Sequence, residues 1–218
     1  MLFRSCESCA QKVTIKPDAP VFELTFDGDI VQDAENNIGI ELLKPESWVV
    51  DGGVLKVPGG QKVNYANVKD ANELVKLGTF VVSFDFMSTQ EGAEADAASI
   101  FSFLGNFYNG AQTSKGSTAW GWIAKLNESL NVLATKKEAA KINDSNSIAI
   151  ERNKFYKVEV VVVPTAKVAH VYIDGKYIGL NTEVPTLAIM GAENLTLRFG
   201  DGPMCGYVFD NFKICDLK

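Results

Sequence analysis

Histidine is almost missing from this chain: His170 is the only one in 218 residues. Histidine-built metal centres are thereby excluded, and any imidazole acid–base chemistry rests on one ring. Nucleophile and zinc-protease patterns of the GxSxG and HExxH kind are absent too. There are four cysteines. Cys6 and Cys9 form a CxxC, but Cys205 and Cys215 stand ten positions apart, whereas a zinc site wants two closely spaced pairs. No βαβ pattern surrounds CESC, which argues against a thioredoxin-like motif. No apolar run approaches the ~20 residues of a membrane-spanning helix. Basic residues are outnumbered, 21 Lys and Arg against 27 Asp and Glu, for a net charge of −6. That balance argues against nucleic acid and anionic membranes as partners, since both call for basic patches.

What is present is strand chemistry. VAHVYIDGKYIGL (168–180) is two runs rich in β-branched and aromatic residues joined by Asp174-Gly175. Such a two-residue joint predicts a type I′ hairpin, whose central residues both need positive φ. FELTFDGD places Phe22, Leu24 and Phe26 on one face by period two. FVVSFDFM (80–87) places Phe80, Val82, Phe84 and Phe86 on one face and Val81, Ser83, Asp85 and Met87 on the other. WVVDGGVLKVPGG reads as two strands around Asp51-Gly52-Gly53. In all, about a dozen strands and at most one short helix are expected, with turn signals every ~8–12 residues, the pattern of a sandwich. Residues 1–20, ending in Pro17 and Pro20, read as a leader, and 21–218 as one β-sandwich domain.

Tryptophans mark the first candidate site. Trp120 and Trp122 are two apart, so a strand presents both on one face, beside the polar stretch GAQTSKGST and near Tyr108. Flat rings of this kind stack on the apolar CH face of a sugar, while amides and amines supply directional hydrogen bonds. Asn106, Lys125 and Asn127 are the polar neighbours. The alternative is that the tryptophans are core. Trp48 reads as core or rim. His170, on the face of Val168 and Tyr172, reads as a structural strand residue. No catalytic residue is assigned: Glu151 stands alone near a turn, and Glu159 has no carboxylate two residues away. Glycan cleavage requires a facing pair of acids. Three Asn-x-Ser/Thr sequons, at Asn127, Asn143 and Asn194, carry meaning only in a secreted eukaryotic chain.

Taken together, LTFDGD, FVVSFDF, FYKVEVVV, VAHVYIDGKYIG and the closing GDG…GYVFDNFKI resemble the concanavalin A-like lectin/glucanase superfamily, most of all its laminin-G-like branch. The resemblance spans most of 21–217. It implies an all-β jelly roll of two curved antiparallel sheets, a concave sugar-binding face and, often, a structural calcium ion. In that family the first and last strands are neighbours and share the ion, which points to Asp27, Asp29 and Asp210. By strand parity Asp210 falls on the face of Val208, Phe212 and Ile214, where a carboxylate needs a partner or a cation; a backbone-capping aspartate is the alternative. Neighbouring chain ends would also let Cys6 or Cys9 reach Cys215, against the alternative of free thiols. The function expected is non-catalytic binding of a glycan or polysaccharide by a secreted or cell-surface domain, with membership of a larger multidomain protein as a further expectation. The competing expectations are a structural or adhesive laminin-G-like module contacting protein, and a glycoside hydrolase or polysaccharide lyase with an unfamiliar acid pair.

Overall fold

The computed structural model describes residues 20–27, 32–33, 40–43, 49–57, 64–68, 78–89, 98–105, 107–108, 111–112, 117–126, 129–134, 146–181, 195–200 and 206–217. Among them are eighteen strands and one 3-10 turn, Pro164–Ala166. The strands are β1 Pro20–Thr25, β2 Gln32–Asp33, β3 Ile40–Leu43, β4 Val49–Asp51, β5 Val54–Val57 and β6 Asn64–Val68. Then come β7 Phe80–Ser88, β8 Ala98–Gly105, β9 Phe107–Tyr108, β10 Ala111–Gln112, β11 Ser117–Leu126 and β12 Ser129–Leu133. The last are β13 Ser147–Ile150, β14 Tyr156–Val163, β15 Val168–Ile173, β16 Lys176–Asn181, β17 Leu195–Phe199 and β18 Tyr207–Asp216.

Every pairing among the described residues is antiparallel. The first sheet runs β16-β15-β14-β7-β18-β1-β2, with β5 also on β18 and β4 on β5. The second runs β13-β12-β11-β8-β17-β6-β3, and β9 and β10 form a separate small ladder. The chain is thus an all-β, two-sheet antiparallel sandwich. Because consecutive strand residues point to opposite faces, each sheet turns one set of side chains inward. Phe80, Val82, Phe84 and Phe86 are all at most 1% exposed, as period two predicts. Phe22, Leu24 and Phe26 are buried likewise.

Rings join the two layers. Phe84, Phe209 and Phe212 come from the first sheet and Phe101 and Phe199 from the second. Phe101 lies 5.0 Å from Phe212 and 5.6 Å from Phe84, and Phe199 lies 5.2 Å from Phe209 between centroids. These separations fall in the range of favourable tilted and edge-on ring pairs. At one margin Asn181, at the end of β16, donates its Nδ2 to the Ala134 carbonyl just past β12, at 3.4 Å.

The turns follow their residues. Asp174 and Gly175 have φ of 48° and 75°, as a type I′ hairpin requires. Asp51-Gly52-Gly53 joins β4 to β5, as expected. β1 and β18 are neighbours, with Leu24 opposite Phe212 and Pro20 opposite Cys215. Pro20 therefore opens a strand, a position proline tolerates.

Two expectations need correction. Cys215 is a buried free thiol, so no bridge from Cys6 or Cys9 reaches it in this structure; Cys6, Cys9 and Cys205 lie outside the described residues. Nor does Asp210 share a face with Phe212 and Ile214. Asn211 has φ of 51°, and the register of β18 against β7 shifts between Asp210 and Lys213. This extra residue is a bulge, and it reverses the parity of everything after it. Tyr207 and Phe209 face the core before the bulge, Phe212 and Ile214 after it, and Asp210 points outward.

Candidate functional site

The aromatic-polar stretch falls in the second sheet. Trp120 and Trp122 lie on β11, an interior strand flanked by β8 and β12. Trp120 stands opposite Phe101, Trp122 opposite Ser99 and Leu133, and Lys125 opposite Leu130. Tyr108 belongs to the separate β9–β10 ladder, opposite Ala111. The side chains of Trp120, Trp122, Lys125 and Tyr108, and Asn106, Asn127 and Trp48 altogether, lie outside the described residues. The backbone thus puts the two tryptophans and Lys125 on one strand and Tyr108 on another ladder.

A group of carboxylates gathers on the outer side of the first sheet. Asp85 on β7 is the register partner of Asp210 on β18. Asn211 holds both: its backbone N–H donates to Asp210 Oδ1 and its Nδ2 to Asp85 Oδ2, each at 2.7 Å. Asp27 follows β1, and its Oδ1 lies 3.3 Å from where a Cβ on Gly53 would sit. Burial raises the pKa of the Asp210 carboxyl, the Asn211 N–H opposes this, and the charges of Asp85 and Asp27 add to the rise. Such a group concentrates negative charge and favours either a proton or a cation. Asp29 lies outside the described residues. Among those described, no three His, Cys, Asp or Glu groups are arranged to hold a metal ion. Asp85 was missed from sequence because FVVSFDFM only says that it faces away from the core; its pairing with Asp210 depends on register and on the bulge.

The remainder of this outer face is a line of polar and aromatic groups. Tyr177, Tyr172, Glu159, Ser83, Lys213 and Glu23 are successive register partners across β16, β15, β14, β7, β18 and β1. Lys157 Nζ is 2.9 Å from Glu159 Oε1, and Lys213 Nζ is 2.6 Å from Glu23 Oε1. Glu159 is buried, so its charge is tolerated because Lys157 answers it. His170 is half-buried on this face, with its ring 5.9 Å from that of Tyr177. It is a strand residue, as expected. Glu151 pairs with Lys154 at 2.6 Å in an exposed turn. Towards the other end of the sheet a recess of about 440 Å³ is lined by Lys56, Val57, Met87, Thr89, Tyr207 and Val208. Its one lysine is paired with Asp51 at 2.5 Å.

No protein-family model and no curated protein sequence matches the chain. Solved structures do. The binding domain of botulinum neurotoxin serotype D/C superposes with a TM-score of 0.55 at 14% identity, over 92% of this chain and 50% of that one. The binding domain of botulinum neurotoxin DC in complex with SialylT gives 0.54 at 12% identity, over 92% and 48%. A structure of botulinum neurotoxin type C, for which interaction with two ganglioside molecules is described, gives 0.53 at 15% identity, over 91% and 48%. This chain spans about half the length of those binding domains, and at such identities the likeness is one of fold. Among the described residues no helix is long and apolar enough to cross a membrane.

Proposed function

We propose that this protein is a carbohydrate-binding β-sandwich of the concanavalin A-like type, acting without catalysis on a glycan or polysaccharide outside the cell. The observation that carries the reading is the position of Trp120 and Trp122 on β11, well inside a sheet of the sandwich. An interior strand is held on both sides, so the backbone that carries the two residues is rigidly positioned, which lowers the cost of ordering a site on it. Support comes from the fold shared with neurotoxin binding domains that are described with SialylT or with gangliosides. Because only half of each such domain is matched, the sugars of those proteins are a guide to chemistry, not to position.

A structural calcium ion on Asp27, Asp29 and Asp210 belongs to the same proposal, supported by the charge gathered at Asp27, Asp85 and Asp210. Trp120→Ala and Trp122→Ala test the binding reading. Each variant should weaken the binding of a glycan found on a printed array by ~1–3 kcal/mol, the scale of a lost stacked ring surface. Calorimetric titration reads the difference, and unchanged affinity in both variants removes this site.

A further inference from the structure

Edge strands of soluble sheets are commonly guarded by charge, since an open apolar edge invites unwanted pairing. The end of the first sheet at β16 carries such guards, Lys176 and a bulge, and still exposes apolar groups. Of the exposed large hydrophobic side chains among the described residues, Tyr177 (46% exposed) and Leu180 (36%) both lie on β16. Neither is needed for the core, which β16 supplies through Ile178. On the outer face the Tyr177 ring is 5.3 Å from that of Tyr172 and 5.9 Å from that of His170, tilted by 56° and 43°. Leu180 stands opposite His170 and extends the apolar surface. The next strand inward brings Glu159 directly opposite Tyr172, with Lys157 on the Glu159 carboxylate.

We propose that Tyr177, Tyr172 and His170 form a stacking platform for a pyranose ring of a neutral glycan, with the exposed Lys157 ammonium, held by the buried Glu159, meeting its hydroxyls. Two rings beside one exposed tyrosine give an apolar surface that a sugar covers with its CH face. Hydroxyls accept as well as donate, and the Lys157 ammonium, more than half exposed, is a donor held in place by Glu159. Charge selects against acidic sugars. Lys157 is already neutralised by Glu159, and the nearby Asp174 carboxylate accepts the Lys157 backbone N–H at 2.8 Å. Lys157 therefore offers a sugar carboxylate no uncompensated charge. This site lies on the first sheet and uses none of the residues assigned to sugar binding above.

The test is calorimetric titration of the full chain with cellohexaose, laminarihexaose and mannohexaose, and with sialyllactose as the acidic comparison. At least one neutral hexasaccharide should bind, and Tyr177→Ala should weaken it about tenfold, the loss of one ring contact together with its buried area. Tyr177→Phe keeps the ring and should retain affinity within about twofold. Thermal unfolding of both variants should match the parent, since the side chain is largely exposed. Absence of binding by all three neutral probes overturns the proposal, as does equal affinity in Tyr177→Ala, or tighter binding of sialyllactose through Tyr177. A Trp120→Ala/Trp122→Ala double variant separates the two sites. If it abolishes binding while Tyr177→Ala has no effect, the site on the second sheet stands and this one falls; the reverse result upholds this one.

Discussion

The two faces of the first sheet share the same strands and obey different rules. Inward, β7 and β18 present phenylalanines that close on Phe101 and Phe199 with centroids 5.0–5.6 Å apart. Outward, the same strands present Ser83, Asp85, Asp210 and Lys213; hydrogen bonds from Asn211 hold the two aspartates and an ion pair joins Lys213 to Glu23. The inner face is interchangeable in detail as long as volume and apolarity are kept. On the outer face identity matters, because each charge is tolerated only through a named partner.

The contrast can be broken first on its inner side. Phe101→Ala removes the ring that meets Phe84, Phe199 and Phe212, and should cost ~3–5 kcal/mol of unfolding free energy, measured by urea denaturation. A cost near zero would mean that the two sheets do not depend on this ring layer. On the outer side, Lys157→Met leaves the buried Glu159 carboxylate without its ammonium. It should cost ~1–3 kcal/mol at neutral pH, and Glu159→Gln on the Lys157→Met background should restore most of it. Failure of the second change to restore stability would show that the carboxylate was not the source of the loss.

A smaller effect is expected at the carboxylate group. The folded-state pKa of Asp210 is raised, chiefly by burial and further by Asp85 and Asp27. A raised carboxyl stabilises the fold while protonated, below its unfolded pKa of about 4, and loses that advantage as pH rises through the folded value. In chelator at neutral pH, Asp210→Asn should therefore gain ~0.5 kcal/mol after allowance for solvent screening, and the gain should vanish at pH 3. Addition of calcium should raise the melting temperature of the parent by mass action and leave Asp210→Asn unchanged. Identical melting curves of the parent with and without chelator, once elemental analysis has excluded a retained ion, would remove calcium from the proposal.

How much of this was legible beforehand differs between the two faces for a physical reason. Phe22, Leu24, Phe26 and the even-numbered residues of 80–86 announce their burial because strand side chains alternate and this set turns into the core, whereas the burial of Val81 on the opposite face is not announced by period two. Asp174-Gly175 announces its hairpin because few residues accept positive φ. Parity failed at Asp210, where a residue with positive φ inserts a step that composition does not reveal. Asn211 tolerates that conformation, so an Asp-Asn pair in a strand is a hint of such a bulge.

By itself, then, the sequence determined the all-β class, the inward residues of its clearest strands and the place of its tightest turn, all of which depend on a residue and its near neighbours. Tertiary structure alone decided that Asp85 faces Asp210, that Glu159 is answered by Lys157 beneath Tyr172, and that the rings of Tyr177, Tyr172 and His170 converge. The first and last of these depend on which strands lie side by side and in what register. The Lys157–Glu159 pair lies on one strand, but its strength depends on the burial that surrounding strands impose. Register and neighbour order are set by the closing of the whole sandwich, and no local run of residues encodes them.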